Sequence, residues 1–114
     1  MNPNEDKSYW TSLTWPAAPN MDDYRVFEHY CQGRVLLLGS TQLLLPLCTE
    51  AWDIEPRYTD PKIKQRDWFT LNEHWDTIII DGGLAFGEDF TKQVLAAVLP
   101  NCDRFVAQIG RAHV

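Results

Sequence analysis

Apolar residues in this chain fall into short blocks separated by polar, proline- or glycine-bearing joints. "RVLLLG" reads as a fully buried strand from Arg34 to Leu38, its unbroken apolar run suiting a parallel sheet covered on both faces. "EAWDI" reads as a second short strand ending near Asp53, "KIKQRDW" as a weak third, "WDTIIIDGG" as a strong fourth over Trp75–Ile80, and "RFVAQI" as a fifth. Two segments carry helical spacing instead. Met21, Tyr24, Phe27 and Tyr30/Cys31 share one face after an N-cap at Asn20, with Asp22 and Asp23 in the first turn and Gly33 as the stop. A second helix opens at Gly87 with Phe90, Val94, Leu95 and Val98 on one side and ends at Pro100. "STQLLLPLC" has room only for a short helix before Pro46.

Strands alternating with helices or short crossovers predict an α/β domain with a Rossmann-like, mostly parallel sheet of about five strands. That domain is expected over residues 20–109. Residues 1–19, "MNPNEDKSYWTSLTWPAAP", are expected to be irregular, because Pro16 and Pro19 oppose a continuous helix. Tyr9, Trp10, Leu13 and Trp15 in that segment are candidates to pack on the domain as a flap.

Composition narrows the function classes. The 114 residues suffice for one domain, and the 45% apolar and 23% charged shares are those of a soluble globular protein. No run reaches the length of a membrane span, and the N-terminus lacks a signal-peptide pattern, so a cytoplasmic location is expected. Cys31, Cys48 and Cys102 lie far apart and read as free thiols of a reducing compartment. With only His29, His74 and His113 beside them, no zinc spacing can be assembled and no metal is expected. The formal charge is −6 with no basic stripe, which argues against nucleic acid. Lys62, Lys64 and Arg66 alternate around Ile63 and Gln65, as on an edge strand blunted by charge.

In an open parallel sheet, ligands bind beyond the carboxyl ends of the strands. The expected ends carry Gly39-Ser40-Thr41, Asp53, Asp67 and Asp81-Gly82-Gly83. An acidic residue or a glycine thus closes each of the first four strands. His74 precedes the fourth strand, at the opposite end of the sheet, and reads as a surface histidine.

Over residues 17–109 these segments resemble the class I S-adenosylmethionine-dependent methyltransferases. "RVLLLGST" looks like the family's first motif, whose backbone turn approaches the methionine part of the cofactor. "WDIEP" is similar to the second, which implies that Asp53, with Ile54 beside it, accepts hydrogen bonds from the ribose hydroxyls. "RDWFTL" resembles the third, implying Asp67 at the adenine amino group and Trp68 bordering the ring. "HWDTIIIDGGL" looks like the fourth, with Asp81, Gly82 and Gly83 beside the transferable methyl group. The helix Met21–Cys31 matches the family's opening helix, which makes Tyr24 or Phe27 a candidate pocket wall. The resemblance implies S-adenosylmethionine as cofactor and a small-molecule methyl acceptor. No Asn-Pro-Pro-aromatic sequence follows the fourth strand, which speaks against methylation of nucleic-acid bases. No catalytic residue is nominated, and the oligomeric state is open.

The first motif departs from the family pattern. Leu37 stands where an acidic residue is usual, and Thr41 and Leu43 stand where further glycines are usual. The "IEPRYTDP" crossover is too short for a full helix. These departures support a second reading, a degenerate non-catalytic relative serving as a binding or interaction module; another doubly wound domain is a third. The closing "IGRAHV", 109–114, is also the translation of ATC GGA AGA GCA CAC GTC, a reading frame of a widely used sequencing-library adapter. It is expected to be non-native. The sheet is then incomplete relative to the seven-stranded methyltransferase sheet, its fifth strand an exposed apolar edge and the fragment inactive as written.

Overall fold

The computed structural model describes residues 21–56, 59–81 and 88–108. The expected N-terminal flap, the Asn20 cap and the closing "IGRAHV" lie outside the described residues.

Helix α1 (Met21–Tyr30) follows the predicted periodicity. Phe27 is buried, and Tyr24 and Cys31 pack half-buried against the same core. The helix ends because Gly33 takes φ +66°, the left-handed conformation that lets the chain reverse into the sheet. A Cβ at Gly33 would also collide with the Asp76 carboxylate, whose Oδ2 accepts from the Arg34 amide at 2.7 Å. Replacing Gly33 by alanine is therefore expected to remove about 1–3 kcal/mol of stability. A lowered urea midpoint checks this, and an unchanged midpoint overturns it.

Five strands follow: β1 (Val35–Leu38), β2 (Glu50–Trp52), β3 (Ile63–Lys64), β4 (Trp75–Asp81) and β5 (Cys102–Gln108). They form one sheet in the order β3-β2-β1-β4-β5, and every pairing is parallel. Helix α2 (Glu88–Val98) precedes β5. The four residues of β1 are all buried, which is why that strand shows no alternation.

The sheet is covered on both sides. Leu36, Leu38, Trp52, Ile78 and Ile80 pack with Phe90, Val94 and Val98 of α2. Val35, Leu37, Ala51 and Ile79 pack instead with Phe27, Leu44 and Leu45. Thr77 is fully buried on β4 but satisfied: its hydroxyl donates to the Gln32 carbonyl at 2.8 Å and accepts from the Gln32 amide at 3.1 Å. That pair fastens the end of α1 to the sheet. The result is a Rossmann-like α/β domain.

Three details differ from the sequence-based expectation. Pro46 lies inside a 3₁₀ helix, Gln42–Leu47, instead of ending it. A 3₁₀ segment tolerates proline here because its bonds are few, such as Leu44 N to Thr41 O and Cys48 N to Leu45 O, and neither needs the missing N–H. Leu95 is only half-buried, leaving Phe90, Val94 and Val98 as the core-facing stripe of α2. Of the three alternating cations, only Lys64 plainly blunts the β3 edge. Lys62 Nζ donates to the Leu45 carbonyl at 3.0 Å, and the Arg66 guanidinium lies 4.0 Å over the Trp52 ring.

Candidate functional site

Strand order alone marks where a ligand crevice of this sheet is expected. The chain leaves β1 toward β2 on one side and leaves β4 toward β5 on the other, so the two connections diverge between β1 and β4. Ligands of doubly wound sheets sit at such a divergence, outside the carboxyl ends of the strands. Gly39 follows β1 and Asp53 follows β2. The register Leu38↔Trp52 places these two exits side by side.

Gly39 adopts φ +124°, which an L side chain rarely takes. A Cβ built there meets nothing within 4 Å among the described residues. On the inner side, its amide donates to the Trp52 carbonyl at 2.8 Å. Ser40 is next, buried at 6% exposure, and its hydroxyl donates to Asp53 Oδ2 at 2.6 Å. Asp53 Oδ1 accepts from the Glu55 amide at 2.9 Å, and the Asp53 amide donates to the Lys64 carbonyl at 3.0 Å. Both carboxylate oxygens are thus held by fixed donors. Thr41 heads the 3₁₀ helix, and Ile54 packs partly buried against the α2-side core.

The third loop joins through the same carbonyl. Trp68 Nε1 donates to Trp52 O at 2.7 Å, so this one oxygen ties the exits of β1 and β2 to the segment after β3. Gln65 Nε2 adds a bond to the Ile54 carbonyl at 3.0 Å. Trp68 itself is 7% exposed and contributes to the core, its ring centroid 6.0 Å from that of Phe90. Asp67 caps the short 3₁₀ helix Trp68–Thr70, with Oδ1 accepting from the Phe69 amide at 2.9 Å. Gly39, Ser40, Asp53 and Ile54 are brought together directly. Trp68 is linked through Trp52, and Asp67 turns an oxygen to its own backbone. Asp81 ends β4 beside Gln108 in register; its side chain, Gly82 and Gly83 lie outside the described residues. Phe27 is a core residue on the α1 side.

Other chemistry-bearing groups lie elsewhere. His74, Asp76 and Asp103 bring one ligand atom each within 4.8 Å of one another, all exposed. Sequence spacing gave no sign of this group, because the β4–β5 register assembles it from distant positions. His74 Nε2 is 3.0 Å from Asp103 Oδ1 and Asp76 already accepts from Arg34, so protein contacts account for all three. The group stands at the amino ends of β4 and β5, opposite the crevice. All three thiols are free; burial pushes Cys48 up to about 11 and also raises Cys31 and Cys102, so none is poised as a thiolate nucleophile. A shallow cavity of about 270 Å³, lined by Gln42, Leu45, Pro46, Thr59, Asp60 and Lys62, shares no residue with the crevice group. No helix among the described residues is long and apolar enough to cross a membrane.

No family model, curated protein or solved structure matches this chain.

Proposed function

We propose that this chain is the cofactor-binding part of a cytoplasmic S-adenosylmethionine-dependent methyltransferase acting on a small-molecule acceptor. The observation that carries the reading is Asp53, oriented by Ser40 and the Glu55 amide beside Gly39, at the adjoining carboxyl ends of β1 and β2 in a parallel sheet. A carboxylate suits a sugar diol, since both oxygens accept hydrogen bonds from hydroxyls. Gly39, lacking a side chain, suits a ligand lying against backbone. These residues fit the group that the sequence resemblance implies.

When bound, the sulfonium supplies an electrophilic methyl group whose transfer depends chiefly on positioning, with a base only where the acceptor needs one. Asp53 would hold the ribose, the Gly39-Ser40-Thr41 turn would border the methionine part, and Ile54 and Asp67 would flank the adenine, with Trp68 backing them from the core. Asp81, Gly82 and Gly83 would lie nearest the methyl group. The net charge of −6 without a basic stripe favours a small acceptor over nucleic acid.

Short crossovers favour a second reading, a non-catalytic relative. A 3₁₀ helix is the only helical element between β1 and β2, and no helix is found between β2 and β3 among the described residues. Calorimetric titration of the folded chain with S-adenosylmethionine and S-adenosylhomocysteine separates the two. Saturable heat for both ligands is expected. Absence of heat for either ligand sinks the methyltransferase reading.

A further inference from the structure

We infer that Ser40 is a positioning residue that locks the Asp53 carboxylate in a diol-selective orientation. This deepens the reading above and rests on it. A serine hydroxyl has one proton to give. Here it is committed to Asp53 Oδ2 at 2.6 Å, and at 6% exposure Ser40 has little water to exchange with. The Glu55 amide holds the other oxygen at 2.9 Å. Two donors from different loops therefore fix the plane of the carboxylate. A carboxylate has about four lone-pair directions, and these two bonds set how they point.

Orientation matters most to a ligand that uses both oxygens. A vicinal diol must meet two acceptors at a set spacing and angle, whereas a single hydroxyl tolerates a carboxylate turned about its axis. With its proton facing Asp53, the Ser40 hydroxyl offers no donor to a ligand. At the Asp53 carboxylate itself the pair therefore opposes anionic groups and accepts hydroxyl donors. Among the described residues, nothing stands within 4 Å of where a Gly39 side chain would be, which leaves room beside the pair.

The test is a titration of the full chain with adenosine, 2′-deoxyadenosine and S-adenosylmethionine, on wild type, Ser40→Ala and Ser40→Thr. One charge-assisted hydrogen bond is expected to favour adenosine over its deoxy analogue by about 10-fold or more in wild type. In Ser40→Ala that preference falls to near unity, and Ser40→Thr restores it. A purely structural Ser40 would weaken both nucleosides equally, and an unchanged ratio overturns the proposal. Should Ser40→Ala fail to fold, Ser40→Cys, close in size but a weak donor, makes the same comparison. S-adenosylmethionine binding with a ratio insensitive to Ser40 leaves the methyltransferase reading standing and removes the inference. Ser40-dependent nucleoside selectivity with no added affinity for S-adenosylmethionine does the reverse. If none of the three ligands binds wild type, both fall.

Discussion

Replacing Trp52 by alanine is expected to cost about 3–5 kcal/mol of folding stability, the range for deleting a large buried aromatic ring. Domains of this kind hold only about 5–15 kcal/mol in total, so the variant should be close to unfolding at ambient temperature. The reason lies in how much converges on one residue. Trp52 is fully buried in the α2-side core, and its Nε1 donates to Glu50 Oε2 at 2.6 Å. Arg66 covers its ring, and its carbonyl receives both Gly39 and Trp68. Truncation leaves a cavity beneath the exit of β2, where the crevice residues are anchored. Phenylalanine at the same position keeps most of the volume and loses the indole donor, so it should cost well under half as much. Denaturant titration followed by circular dichroism reads both. A loss below about 1 kcal/mol for Trp52→Ala would show that the site collapses around the gap.

That convergence also marks how far the fold was legible in the sequence. Strands β1 and β4 announce themselves because "VLLL" and "TIII" are buried on both faces, and α1 and α2 because their apolar residues recur at helical spacing. Strand β3 was only a weak signal, and it comprises just Ile63 and Lys64. Gly39 and Asp53 stand out in the sequence because each directly follows a strand, β1 and β2. The bond between Ser40 and Asp53 was not, since it depends on the register Leu38↔Trp52, which local pattern does not encode. Nor does pattern decide which way an aromatic residue faces in a three-residue 3₁₀ turn. Trp68 looked like a ring to border a ligand, and its indole is mostly buried with a donor on the Trp52 carbonyl. The His74–Asp76–Asp103 group was invisible for the same reason as the serine–aspartate bond. Pairing of β4 with β5 creates it, and no spacing within the chain foreshadows it.

Asp53→Ala is expected to weaken S-adenosylmethionine binding about 100-fold, or about 2.7 kcal/mol. Hydrogen bonds to charged groups contribute roughly 1.5–3 kcal/mol each, and a ribose diol would make two to this carboxylate. Stability should fall as well. Without Asp53 the Ser40 hydroxyl is stranded at 6% exposure and the Glu55 amide loses its acceptor, a penalty of about 1–3 kcal/mol for such an unsatisfied group. The two effects separate by measuring affinity well below the variant's own melting temperature, where the folded fraction is near one. Asp53→Asn sharpens the comparison. It preserves the shape and one acceptor oxygen, but its amide group must turn a donor toward either Ser40 or the Glu55 N–H, and in both cases toward one ribose hydroxyl. An intermediate loss, nearer the alanine value than wild type, is therefore expected. Affinity that survives in both folded variants would remove Asp53 from the ribose and leave the Ser40–Asp53 pair as a brace between the exits of β1 and β2.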